Sequence, residues 1–508
     1  MLSESTTQRD RKVLMASRNE GAAVPGVEQD AGFTSSRSTV QLFAGRVFFM
    51  LSGYLITIIL ARNLGPAEYG VYGVVMSVLM WIEMLGSAGI PGATAKFVAQ
   101  YESQTRVIEQ TAMTLLLGIS FILFLVCWSL GPAFTSLFNI QSGTMLFRIA
   151  ILDIPLSGMY LAYQGILHGH RRFGTLSVGM IIYSLTKLLG ISILWAIDLS
   201  VSGALLVNAA ATLGVLIYFA GKLLPRVNLP QGGLASAIGR VALPMGLYLV
   251  ALQMLLSLDL WLLKSLWTGA KEVIGIYVAA LNVSKVMIVV PSVVSGVLFA
   301  SLSWALAQKR ETLAQDYIQG ICRFAFIVIV PSCAFLALHA QELMVMLYSS
   351  AYATGGRYLA LLLIAYGLLP FLDIFFHALM AADKRYLSAV ILLILIPGMV
   401  LCNVVLIPFL GPSGAAVSLA IVMAVGTAIS AALAYRRFGP LMRLSSVLRV
   451  MVATALVSFI SAQISIAGPW LMLKLAAMLG VYALCLNLLA EIGAKDWQAI
   501  MLWRKGGQ

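Results

Sequence analysis

Apolar runs of about twenty residues recur from residue 39 to residue 490, and no other feature of the chain restricts its fold so strongly. A helix that crosses the hydrocarbon core of a bilayer needs about 20 mostly apolar residues. Fourteen runs meet that description: 39–61, 71–92, 111–131, 146–168, 174–197, 202–221, 238–262, 273–300, 321–340, 357–380, 387–407, 413–435, 447–467 and 469–490. Gly468-Pro469 is nearly all that separates the last two. Charged residues make up only 10% of the 508 and hydrophobic residues 60%, whereas a soluble domain carries about 25% charged residues. So few charges cannot clothe a surface that faces water. A soluble enzyme, a secreted disulfide scaffold and a disordered chain are excluded, and an all-α polytopic membrane protein is expected.

Residues 1–37 are polar and lack the apolar core of a signal peptide, so they read as a tail. Lys and Arg excess marks the cytoplasmic side of a membrane protein. With the N-terminus cytoplasmic, the inside segments hold 24 Lys and Arg, the outside segments six, and the spans Arg46, Lys187 and Lys285. An even span count then puts both termini in the cytoplasm. The net charge of +13 is thereby explained by topology and by attraction to anionic lipids, without a nucleic-acid partner. The five cysteines form no CxxC pair, and neither HExxH nor GxxxxGK[ST] occurs. No metal site or cofactor is expected beyond coupling to H+ or Na+.

The chain contains a repeat. After the first span it reads Gly65-Pro-Ala-Glu68-Tyr-Gly70-Val-Tyr72, and after the seventh Gly269-Ala-Lys-Glu272-Val-Ile-Gly275-Ile-Tyr277. His170-Arg171-Arg172-Phe173 corresponds to Asp383-Lys384-Arg385-Tyr386, and Ser202-Gly203-Ala204 to Ser413-Gly414-Ala415. Each pair falls at the same place in a six-span unit. Six is even, so the two units share one orientation and are related by a pseudo-twofold along the membrane normal. The expected organisation is a tail (1–37), a first lobe (38–221), a cytoplasmic linker (222–237), a second lobe (238–435), two extra helices (446–490) and a second tail (491–508).

Ionisable groups inside a span cost about 2.5–3.5 kcal/mol each on insertion scales, so they should face a cavity or one another. Arg46 shares a helical face with Met50, Gly53 and Thr57. Glu83 lies with Gly86 and Ser87, Lys187 with Tyr183 and Gly190, and Lys285 with Asn282 and Ser292. The fourth span carries a polar stripe of Asp153, Ser157, Tyr160 and Gln164, and the tenth carries Tyr366, Pro370, Asp373 and His377 at the matching positions. Corresponding faces of repeat-related helices thus turn to polar surroundings, which argues for a wet cleft between the lobes. Two readings stay open. Arg46, Lys187, Lys285 and the cytoplasmic Arg240 line that cleft for an anionic substrate, or the intramembrane cations pair structurally with Glu83, Asp153 and Asp373. In the first reading the carboxylates bind and release a coupling cation.

The run Ala61-Arg62-Asn63-Leu64-Gly65-Pro66-Ala67-Glu68-Tyr69-Gly70 resembles the first-loop signature of bacterial polysaccharide export flippases, the Wzx-type branch of the multidrug/oligosaccharidyl-lipid/polysaccharide (MOP) superfamily. Leu258-Asp259-Leu260-Trp261-Leu262-Leu263 and Gly275-Ile276-Tyr277-Val278-Ala279-Ala280 resemble it too, and the likeness covers about residues 38–440. It implies a two-lobed, V-shaped exporter that moves a polyprenyl-pyrophosphate-linked oligosaccharide between leaflets by alternating access. Membrane lipids, a polysaccharide polymerase and export machinery are the implied partners. The first span lacks the Arg-Asp pair associated with the lipid II flippase branch, which disfavours a peptidoglycan role. The rival readings are an ion-coupled multidrug exporter, whose cleft would be rich in carboxylates and aromatics, a passive scaffold, and a membrane-embedded glycosyltransferase or polymerase. The enzyme reading is poorly served by external segments near 132–145 and 341–356 that hold a single acid, Glu342.

Overall fold

Backbone polar groups cannot be left unpaired in hydrocarbon, so a spanning chain of this composition must satisfy them within helices. A computed structural model describes residues 32–140, 142–197, 199–223, 232–288, 298–299, 301–382, 385–464, 468 and 470–491. Among these residues there is no strand. Twelve helices are long and apolar enough to cross a membrane. The first of them, Gln41–Gln100, is 60 residues long and contains the first two expected spans. The eighth expected span is helical at Glu272–Ser284 and again at 301–307, and residues 289–297 lie outside the described residues. So do most of the two tails and of the expected linker.

The first half runs through α1 (Gly32–Ser87), α2 (Ile90–Gln100), α3 (Thr105–Ser129), α4 (Gly131–Phe138), α5 (Gly143–Ile151), α6 (Asp153–Gly169), α7 (Phe173–Ile197) and α8 (Val201–Ala220). The second runs through α9 (Gly232–Leu266), α10 (Glu272–Ser284), α11 (Glu311–Leu338), α12 (Ala340–Tyr348), α13 (Gly355–Ala381), α14 (Arg385–Leu410) and α15 (Pro412–Phe438). The helix α1 is broken at Gly65, whose φ of 71° and ψ of 169° are not helical. Glycine meets no Cβ penalty there, and Pro66 restarts the helix where a missing N–H costs nothing. The expected external loops each contain a short helix, α4 and α12, whose first residues Gly131 and Ala340 are 209 positions apart. Both are too short to cross a bilayer, and they form because Phe134, Phe138, Leu343 and Met344 find burial on neighbouring helices. The repeat therefore extends to elements that hydropathy alone does not show.

Between helices in lipid there is little hydrophobic drive, and association rests on close packing of small residues and on interhelical hydrogen bonds. The seam between halves shows both. The second part of α1 and the helix α2 pack on α9 and α10, with Gly70 against Gly275 and Gly89 against Gly246. Across the same seam Trp261 donates to Ser77 Oγ at 2.9 Å and Asn282 to the Tyr69 hydroxyl at 2.8 Å. The two extra helices, α16 (Leu444–Gln463) and α17 (Trp470–Leu488), attach to the second half through α11. The Tyr482 hydroxyl donates to the Ile327 carbonyl at 3.0 Å, and its ring meets Phe335 edge-on. Just beyond α17 the buried Glu491 carboxylate bridges Arg323 of α11 and Arg449 of α16.

Candidate functional site

Each half holds a cluster of ionisable side chains at membrane depth. In the first half Asp153 opens α6 and is 3% exposed, beside Asn208 of α8 at 4%. The Asn208 amide donates to Asp153 Oδ2 at 2.6 Å. Its carbonyl oxygen accepts from the Lys187 ammonium and, at 3.1 Å, from the Tyr183 hydroxyl. The ammonium also lies 5.7 Å from the centre of the Tyr183 ring. Glu83 of α1 stands within electrostatic reach of Asp153 and Lys187. Two carboxylates and one ammonium thus share a pocket built from four helices. Glu83 Oε1 and Asp153 Oδ1 are buried with no hydrogen-bond partner. About two and three turns along α6 from Asp153, Gln164 donates to the Tyr160 hydroxyl at 2.7 Å.

The second half holds a buried cluster built from different helices. Asp259 of α9 is fully buried and accepts from the Tyr277 hydroxyl at 2.8 Å. Lys285 and Tyr366 lie within its electrostatic reach. Asp259 Oδ1 and the Tyr366 hydroxyl are buried without a partner. Further along α13, Asp373 accepts from Tyr248 at 2.9 Å and stands 3.3 Å from the His377 ring. The pairs Tyr160–Gln164 and Asp373–His377 occupy matching positions of the repeat, and each is bonded across one helical turn. Residues at corresponding positions therefore make corresponding contacts, although their chemistry differs.

The four candidate cations divide into two kinds. Lys187 and Lys285 sit among carboxylates. Arg46 and Arg240 are exposed, and among the described residues neither makes an ion pair within 4 Å. Arg46 lies close enough to His168, at the end of α6, to act on it electrostatically. Asn282, expected in a polar cleft, is placed at the seam on Tyr69. Asp259, Asn208, Tyr183, Tyr248 and Tyr277 were not candidates from sequence. Asp259 carried a usable signal, an acid in the middle of an apolar run. Asn208 carried a weaker one, since a single amide in a span is common.

Near the Gly70–Gly275 end of the seam lies a cavity of ≈ 100 Å³, lined from the first half by Glu68 and Asn139 and from the second by Lys264 and Lys271. No group of three or more His, Cys, Asp or Glu among the described residues is arranged to hold a metal ion.

The sequence profile of a family described as "Polysaccharide biosynthesis protein" matches residues 35–305. No curated protein sequence matches the chain. Among solved structures it is similar to the lipid II flippase MurJ in an inward closed conformation, with 12% identity over 88% of this chain and 98% of that one and a TM-score of 0.74. It is similar to an inward-facing multidrug resistance MATE family transporter of the MOP superfamily, with 16% identity over 80% and 98% and a TM-score of 0.68. A MOP superfamily transporter from Pyrococcus furiosus, described by a binding pocket of reverse polarity, is 17% identical over 82% and 99%, with a TM-score of 0.60. At these identities the likeness establishes a shared fold.

Proposed function

The chain belongs to the polysaccharide biosynthesis protein family, and on that footing we propose that it is a flippase for a lipid-linked oligosaccharide in the bacterial inner membrane. The observation that carries the reading is the pairing of two repeat-related halves, each with ionisable groups at bilayer depth, along a seam built for close contact and separation. No covalent chemistry is required. The barrier to crossing is the cost of stripping water from a charged, hydroxyl-rich headgroup, and fixed polar groups in a cleft replace that water. The lipid tail stays in the bilayer while the headgroup moves.

Arg46 and Arg240 are the groups we assign to the pyrophosphate of a polyprenyl carrier, because both are exposed and neither makes an ion pair among the described residues. Arginine presents a planar fork of donors that suits phosphate oxygens. Glu83 and Asp153 are assigned to coupling, since two carboxylates there share the field of one ammonium, Lys187. The basic residues of alternate loops favour cytoplasmic termini. In cells, loss of the protein should leave the lipid-linked glycan assembled but confined to the inner leaflet. Surface labelling of intact spheroplasts then detects no glycan until the chain is resupplied. Glycan reaching the outer leaflet at the normal rate without the chain would contradict the assignment.

One observation favours a second reading. Lys187 and Lys285 lie among carboxylates, so the two buried clusters are acidic or neutral rather than cationic. An ion-coupled exporter of organic cations would show such clusters. It predicts extrusion of a cationic dye that stops on Glu83→Gln, which the flippase reading does not.

A further inference from the structure

The glycines that touch across the seam fall into two groups at opposite ends. At the first end, a Cβ on Gly275 would lie 1.7 Å from the Pro66 carbonyl oxygen, and one on Gly70 would lie 2.7 Å from the Gly275 nitrogen. At the other, a Cβ on Gly246 would lie 2.2 Å from the Ala88 carbonyl oxygen, and one on Gly89 2.6 Å from that of Ala242. The obstacles are backbone atoms of the opposite half, so no rotamer change relieves them. Gly70 and Gly89 are joined by helix, which at 1.5 Å per residue sets them about 28 Å apart. That is nearly the thickness of the hydrocarbon core, about 30 Å.

The two contacts differ in what surrounds them. The Gly70–Gly275 end is ringed by hydrogen bonds between halves. Arg62 donates to the carbonyls of Leu347 at 2.8 Å and Met346 at 2.6 Å, and Tyr352 donates to that of Ala61 at 2.7 Å. Asn282 and Trp261 add the bonds to Tyr69 and Ser77. The Gly89–Gly246 end is apolar, with Ile90 and Ala93 in one buried cluster with Ile238 and Ala242. Among the described residues no side-chain hydrogen bond crosses it.

We propose that these glycine contacts, both formed in this structure, are the two closures of a rocking motion, so that each parts in turn and Gly275 and Gly246 set which end of the seam can close. A methyl group at Gly275 prevents closure at its end and leaves the other free to close. A methyl group at Gly246 does the reverse. The proposal rests on the transport reading only in calling the contacts closures, because the state of the seam is measurable without substrate.

The test is thiol cross-linking in native membranes with a short bifunctional reagent, in a chain whose five cysteines are replaced by alanine. Ala67→Cys with Ile274→Cys reports the first end, where both residues line one cavity. Gly92→Cys with Met245→Cys reports the second, where a Cβ at 92 would lie 3.4 Å from the Met245 sulfur. Gly275→Ala should lower the first yield roughly fivefold or more, the population change expected of an overpacked contact, without lowering the second. Gly246→Ala should do the opposite. Gly118→Ala, where an added methyl meets nothing within 4 Å, should change neither. If Gly275→Ala does not accumulate in the membrane, Trp261→Phe replaces it. That variant loses the bond to Ser77 without a clash, and it must lower the first yield alone. Yields that stay within about twofold of the parent, or that fall together at both ends, overturn the proposal. Flipping assays do not enter this result, so failure of the substrate assignment is distinguishable from failure of the closures.

Discussion

The charge of a buried lysine is set by its neighbours, and Lys187 is the residue where this matters most. It donates to Asn208 and stands near Asp153 and Glu83. Removing the ammonium takes away the hydrogen bond to Asn208 and the one cation near both carboxylates, and a lost charge-assisted hydrogen bond costs about 1.5–3 kcal/mol. Lys187→Met should therefore lower the melting temperature of the detergent-purified protein sharply. Adding Asp153→Asn should recover part of that loss, because it removes one of the two carboxylates. A double variant as unstable as the sum of its parts would show that the two groups do not interact. Arg46 is different, being exposed and without an ion pair among the described residues. Arg46→Gln and Arg240→Gln should each leave insertion and stability unchanged and slow flipping by about tenfold, the effect of one charge-assisted phosphate contact of ~1.5 kcal/mol. Unchanged rates in both would remove them from the site. Sequence alone exposed these cations and the matched stripes of the fourth and tenth spans, since a charge in an apolar run stands out. It did not reveal which cations have partners, because Asn208 and Asp259 lie on the neighbouring helix, and the pattern within one span does not show which side chains meet across two.

Helices of this chain were legible wherever hydropathy set them, and their joints were legible only where glycine and proline mark them. Gly65-Pro66 signals a break in α1. The break between α5 and α6 at Leu152 is marked by Pro155 in the first turn of α6, and it places Asp153 at a helix start. The short helices α4 and α12 escaped because a run of eight or nine apolar residues is too brief to read as a span. The attachment of α16 and α17 depends on Glu491, whose position near the end of the chain gave no hint of burial. Burial pushes its carboxyl up, but bonds from Arg323, Ser446 and Arg449 outweigh that effect and hold it below its ordinary value of 4.5. A group depressed in the folded state stabilises above its unfolded pKa and loses that contribution as pH falls through the folded value. The wild type should thus lose thermal stability on acidification from about pH 5 to pH 3 more steeply than Glu491→Gln. At neutral pH the variant should already be weaker by about 1–2 kcal/mol, the exposed sides of both guanidiniums being screened by water. Parallel pH profiles for the two proteins would show that the clasp is not formed.

At the scale of the molecule, two halves of one ancestry meet through the same motif. The Gly-x-x-Glu signature read from the sequence as a repeat becomes, in three dimensions, the place where the halves touch, with Gly70 on Gly275. The offset predicted that the motifs are equivalent. It could not predict that they are in contact, because a pseudo-twofold axis places equivalent residues either together or far apart depending on their distance from the axis. Polar groups follow the same symmetry more loosely, with Asp153 facing Asn208 in one half and Tyr366 near Asp259 in the other. Such divergence suits a protein whose halves rock as equals while only one binds a coupling ion. The central claim is that this seam carries a lipid-linked headgroup between leaflets. Purified protein in liposomes containing a fluorescent polyprenyl-pyrophosphate oligosaccharide tests it, with an impermeant quencher added outside. The account predicts that protein-containing liposomes lose the fluorescence of both leaflets, at a rate reduced by Arg46→Gln. Protection of the inner-leaflet half, as in protein-free liposomes, would contradict it.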